Sequence, residues 1–119
     1  MPAPSARHYF EWDEVDDVTV LRFTVPSIRE DKVIGSAFEE VNQVVEAGRT
    51  RLVLDFGAVQ DFASLTIGKL IALHKRLQPP AGRLALCNLT PVVAEALAIM
   101  NLDRHFHLYK TQEEALRSF

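Results

Sequence analysis

From Lys32 to Ala47 the apolar residues Val33, Ile34, Ala37, Phe38, Val41, Val44 and Val45 return at helical spacing. Glu39, Glu40, Asn42, Gln43 and Glu46 fill the gaps between them, and Gly48 stops the pattern. The spacing predicts a helix with one buried face. Ahead of it, "PSIRED" places Ser27 three residues before Glu30, a capping-box spacing, with Asp31 as a second candidate cap. A different rhythm governs the first quarter of the chain. "HYFEWDEV" and "VTVLRFTV" are rich in aromatic and β-branched residues and are separated by Asp16 and Asp17, which predicts a β-hairpin. In the second segment Val18, Val20, Arg22 and Thr24 alternate with Thr19, Leu21, Phe23 and Val25, so both faces are mostly apolar, as in an inner strand.

The rest of the chain alternates. "TRLVLDF" is a short apolar run ending at Gly57 and reads as a central strand buried on both faces. A helix is expected over Thr66 to Leu77, apolar at Ile67, Leu70, Ile71 and Leu77. His74, Lys75 and Arg76 lie in its last turns, where they suit the helix dipole, and Pro79 and Pro80 end it. "GRLALCNL" is another buried strand. "TPVVAEALAIMNL" predicts a helix with Thr90 as N-cap and Pro91 in the first helical position, where its missing N–H costs nothing. "HFHLYK" is a last short strand, and "TQEEALRSF" opens a closing helix with Thr111 and Glu114 at capping-box spacing. Strands alternating with helices after a hairpin imply an α/β fold with a mixed, mostly parallel sheet of about five strands, an antiparallel N-terminal hairpin and about four helices. In such sheets ligands and partners meet the loops at the carboxyl ends of the strands.

Length and composition narrow the class. A chain of 119 residues fits one domain, expected over residues 8–119, preceded by a loose Pro/Ala/Ser arm over residues 1–7. The apolar share is 48% and the charged share 24%, ordinary for a globular protein. With 13 basic and 16 acidic residues and no dense Lys/Arg cluster, nucleic acid and anionic membranes are poor partners, and another protein is the better one. No apolar run approaches the ~20 residues of a membrane helix. Cys87 is the single cysteine, which excludes an internal disulfide and fits a reducing cytoplasm.

The candidate chemistry lies in "DFASLTIGKL", residues 61–70, where a strand hands over to a helix. Ser64 and Thr66 put hydroxyls at that junction. Ser64 as an N-cap would accept from the N–H of Thr66 or Ile67, worth ~1 kcal/mol, whereas Ser64 as a phosphate acceptor would carry a switch. Thr66 is the rival acceptor, or a first-turn residue bonding locally. No catalytic constellation is present. "TIGK" lacks the upstream glycine of a phosphate loop, and Leu70 stands where magnesium would need Ser or Thr. Ser64 and His74, ten residues apart on one helix, are separated by ~15 Å, which rules out a triad with Asp61. His105 and His107 share a face if both lie on a strand, a spacing some metal sites use, but edge or solvent-facing histidines around Phe106 are the plainer reading. Cys87 reads as a small core residue. Trp12 is a core, edge or interface aromatic.

"RLVLDFGAVQDFASLTIGKLIALHKRL" followed by "GRLALCNLTPVVAEALAIMNLDRHFHLYKTQEEAL" resembles the STAS domain, the fold of bacterial anti-sigma factor antagonists and of the cytoplasmic tails of sulfate transporters. The resemblance is strong over residues 50–116 and weak before them. In that family the loop after the central strand usually reads Asp, Ser, Ser or Thr, Gly, Leu or Ile, Gly. A partner anti-sigma kinase phosphorylates the Ser after the Asp. Aligned on Gly68, the phosphorylated position falls on Ser64, and Ile67 and Gly68 match; Ala63, Leu65 and Thr66 depart from the pattern. "TVPSIRED" also lacks the Gly, Leu, Asp run common after the second strand.

The resemblance therefore implies a cytoplasmic anti-sigma factor antagonist, not an enzyme, with no cofactor of its own. Its partners would be a serine kinase that binds and phosphorylates it, bringing ATP and magnesium, and a phosphatase that resets it. The implied docking surface is Asp61, Phe62, Ala63, Ser64, Leu65, Thr66 and Lys69. A phosphate of about −1.5 to −2 charges on Ser64 would sit comfortably at a helix N-terminus and obstruct a partner docked on the loop. The alternative within the same fold is an unphosphorylated adaptor or subunit of a transport or scaffold complex. A small-ligand sensor has no specific residue behind it.

Overall fold

A computed structural model describes residues 9–119. The arm expected over residues 1–7, and His8 at the start of the expected hairpin, lie outside them. β1 (Phe10–Val15) and β2 (Val18–Phe23) form the antiparallel hairpin, turning through Asp16 at φ 50°. β3 (Ser27–Ile28) leads into α1 (Asp31–Glu46), β4 (Arg51–Asp55), β5 (Asp61–Phe62) and α2 (Ser64–Arg76). β6 (Arg83–Cys87), α3 (Pro91–Ile99), β7 (His107–Tyr109) and α4 (Gln112–Arg117) complete the chain. The main sheet is five-stranded in the order β1-β2-β4-β6-β7, parallel from β2 through β7.

This is the mixed sheet that the hydrophobic pattern predicts, with the double-sided apolar strands β2, β4 and β6 at its centre. Their alternate residues build two unequal cores. Leu21, Leu54 and Leu86 lie in one row across the sheet and meet α1, α2 and α3 through Ile34, Phe38, Val41, Leu70, Leu73 and Leu97. The opposite face is lined by the smaller Val18, Val20, Val53, Ala85 and Cys87, under Ala115 of α4. Each large side chain so buried contributes ~1.5–3 kcal/mol. Phe119 anchors the end of α4, its ring lying 5.5 Å from the Arg51 guanidinium and 5.3 Å from that of Arg83. Trp12 packs partly buried against the larger core from the edge strand β1.

Several local expectations are corrected. The hydrophobic pattern does not predict β3 and β5, which pair in parallel, Ser27 with Asp61 and Ile28 with Phe62, as a ribbon separate from the main sheet. The capping box at Ser27 and Glu30 does not form: Glu30 is the N-cap residue of α1 without a side-chain bond, Asp31 is the first helical residue, and the Ser27 hydroxyl instead lies 3.3 Å from Asp61 Oδ2. Pairing of β3 with β5 takes Ser27 away from the helix end. Thr111 does cap α4, its Oγ1 accepting from the Glu114 N–H at 3.1 Å. Gly82 fits the turn into β6 for lack of space: a Cβ there would fall inside van der Waals range of the Thr50 carbonyl oxygen.

Candidate functional site

The carboxyl ends of β2, β4 and β6 carry the loops that assemble the candidate site. Asp55, at the end of β4, is nearly buried and accepts from the Gly57 N–H at 2.8 Å and from Asn88 Nδ2 at 2.9 Å. Asn88 holds a left-handed conformation, φ 54°, to make that contact. The Gln60 and Asp61 N–H groups donate to the Pro26 carbonyl, and the Thr90 hydroxyl donates to the Val59 carbonyl at 2.6 Å. Thr90 occupies the N-cap position of α3 as predicted, but its hydroxyl is spent on this bond across the loops rather than on the helix end. Three separate connections are thus tied into one platform.

On that platform α2 begins at Ser64, two residues earlier than the periodicity suggests. Ala63 is the N-cap residue, extended at φ −116°, ψ 165°, and no side-chain cap bond is made there. The cap reading of Ser64 is therefore corrected: Ser64 is the first helical residue, not the cap. Its side chain is exposed, and no acidic residue lies in the first turn. Early N–H groups of a helix have no intrahelical acceptors and sit at the positive end of its dipole. The chemistry such an end favours is an anion.

Thr66, the rival hydroxyl, is 1% exposed and donates to the Ile28 carbonyl of β3 at 2.8 Å. Its bond is long-range, not local as expected, and the side chain is closed to an enzyme in this state. Leu65 is 44% exposed beside Ser64. Phe62 and Ala63 are only half available, because both pack against the larger core. Asp61 lies at 3.6 Å from Arg29 Nη1, an exposed ion pair flanking the site. Lys69 faces elsewhere, lining an open groove of about 410 Å³ between α1 and α2 with Glu39, Asn42, Gln43 and Glu46. Of the sequence-predicted surface, Asp61 to Leu65 come together, Thr66 lies beneath them, and Lys69 borders a neighbouring groove.

The sequence reading missed Ile28, Asp55, Asn88 and Arg29. Ile28, fully buried in an otherwise polar stretch, was the visible signal of β3. The other candidates are placed plainly. Cys87 is buried; burial first, then the Asp55 carboxylate, pushes its thiol up to about 12, so it is an inert core residue. His105 lies in a turn ahead of β7, not on a strand, yet its ring and that of His107 both approach His74 of α2. Among the described residues no group of three or more His, Cys, Asp or Glu side chains is arranged to hold a metal ion, and no helix is long and apolar enough to cross a membrane.

The family model described as the STAS domain matches residues 9–115. A Bordetella bronchiseptica protein designated a candidate anti-sigma factor antagonist, BtrV, is 30% identical over 80 residues, which span 67% of this chain and 69% of that protein. The crystal structure of a candidate anti-sigma factor antagonist from Thermotoga maritima superposes with a TM-score of 0.82 at 24% identity, covering 93% of this chain and 94% of that one. The phosphorylated form of the Bacillus cell-fate determinant SpoIIAA gives a TM-score of 0.68 at 19% identity, covering 92% and 97% of the two chains. These structural likenesses concern the fold.

Proposed function

Since this chain belongs to the STAS domain family, we propose that it is an anti-sigma factor antagonist, a binding module whose Ser64 is the phosphate acceptor that turns docking off. The observation that carries the reading is the split between the two hydroxyls of the first turn: Ser64 is exposed at an uncapped helix start, while Thr66 is buried and bonded to Ile28. The name of the Bordetella relative and the phosphorylated state of the Bacillus neighbour support it.

In the unmodified state the partner docks over Leu65 and the exposed parts of Phe62 and Ala63, with Asp61 and Arg29 at the rim. The partner is a serine kinase that holds a sigma factor when this chain is absent, and a separate phosphatase restores the free serine. Proton transfer and metal chemistry belong to the kinase; this chain supplies the hydroxyl and a site that accepts the product. Phosphate on Ser64 gains from the bare N–H groups and the helix dipole, so the host fold is little disturbed. The same phosphate introduces charge and bulk into an interface that depends on a few desolvated contacts. That asymmetry is what makes a switch.

The test is phosphopeptide mass spectrometry on protein recovered from its native cells, covering residues 52–69, together with affinity capture by the unmodified chain and by Ser64→Asp. Phosphate on Ser64, and a kinase-like anti-sigma factor held by the first bait and lost from the second, is the expected result. An unmodified peptide under several growth and stress conditions, with equal capture by both baits, overturns it and makes the chain a constitutive adaptor.

A further inference from the structure

The opposite end of α2 carries a second arrangement that the docking surface does not use. His74, in the last turn of the helix, is buried, and its Nδ1 has no hydrogen-bond partner among the described residues. Its ring centroid lies 4.8 Å from that of His105, 5.8 Å from that of His107 and 5.2 Å from the Phe106 ring. Histidines separated by about thirty positions in sequence thus meet where α2 leans on the edge of the sheet. We infer that His74, His105 and His107 form an acid-operated latch: neutral, they pack the end of α2 against the turn and strand of β7, and on protonation they repel and release it.

The surroundings decide the sign. A histidine at a helix C-terminus is ordinarily favoured as a cation by the dipole. Here burial first, and then His105 and His107, hold His74 below its ordinary range. Burial and the Arg83 guanidinium of β6 likewise lower His107. Arg76, two residues on in α2, is turned toward Asn42 and Glu46 of α1, and exposed Asp103 and Arg104 flank His105 in its turn. Among the described residues, the titratable neighbours that act on His74 are thus the two imidazoles of His105 and His107, and both disfavour its proton.

Because the unfolded chain binds protons on His74 and His107 more readily than the folded chain, the packing is fully favourable above the ordinary histidine value of about 6.5 and is lost progressively as pH falls below it. This inference needs no partner and no phosphate, so it stands or falls separately from the reading of Ser64.

Hydrogen–deuterium exchange of the whole chain, corrected for intrinsic rates, measures the latch directly. Between about pH 7.5 and about pH 5.5, amides of residues 73–77 and of β7 are expected to lose at least about tenfold in protection while those of β4 hold theirs. His74→Phe keeps a ring in place without a titrating group and should abolish the difference. If that variant folds poorly, the double variant His105→Asn with His107→Asn leaves His74 intact and should still shrink the loss markedly. Unchanged protection in the wild type, or the same loss in either variant, overturns the proposal.

Discussion

Ser64 and Thr66 stand two residues apart on the same helical turn and belong to different parts of the molecule. Ser64 is exposed at a helix start with no side-chain cap bond, while Thr66 is closed in the protein and holds α2 to β3 through the Ile28 carbonyl. The contrast separates modification from architecture. A hydroxyl that stabilises the fold has its lone pairs and proton engaged and its surface covered, so it cannot also meet a kinase. The platform below is tied together by such engaged groups, with Thr90 on Val59 and Asp55 on Gly57 and Asn88, and the exposed Ser64 stands apart from those bonds.

Substitutions can break this contrast from either side. The largest effect is expected from Thr66→Val, which keeps the shape but removes the 2.8 Å bond to the Ile28 carbonyl and leaves that oxygen only the Ala63 N–H at 3.3 Å: about 1.5 kcal/mol of stability, or roughly a twelvefold shift in the folding equilibrium, read by urea denaturation. Next comes Ser64→Asp, which should weaken capture of the kinase partner about tenfold or more, equal to ~1.4 kcal/mol, in a binding titration, with the urea midpoint nearly unmoved. Ala63→Asp supplies a capping carboxylate at a helix start that has no side-chain cap bond, and should stabilise the chain by about 1 kcal/mol in the same denaturation assay. It also sharpens the contrast, because the new carboxylate would compete with phosphate for the same N–H groups. Ser64→Ala should change stability by less than about 0.5 kcal/mol while removing all phosphate incorporation by the partner kinase. A loss as large as that of Thr66→Val would mean that Ser64 is a structural residue after all.

Much of this was legible in the sequence, for reasons that differ by element. Strands β2, β4 and β6 announce themselves because burial on both faces leaves them apolar at nearly every position, and α1 because sixteen residues give the helical period room to repeat. The hydroxyl-bearing start of α2 was locatable, but its role was not. Capping rules describe a side chain and the N–H groups a few residues on; what decides Ser64 is that β5 pairs with β3, which fixes Ala63 as the extended residue before the helix. Two-residue strands are too short to carry any periodicity. The same limit hid Thr66 and Thr90, whose hydroxyls bond to carbonyls 38 and 31 positions away. His105 and His107 could be noticed as a pair from the sequence, but the third ring reaches them only through the packing of α2.

Gly82 has a bearing on descent rather than on stability. Around Gly35 there is open room for a side chain; at Gly82 the Thr50 backbone leaves no vacancy even for a methyl group. In a lineage whose docking loops diverge as partners change, this glycine should persist as a fossil of the shared scaffold, outlasting the residues by which any two members are told apart.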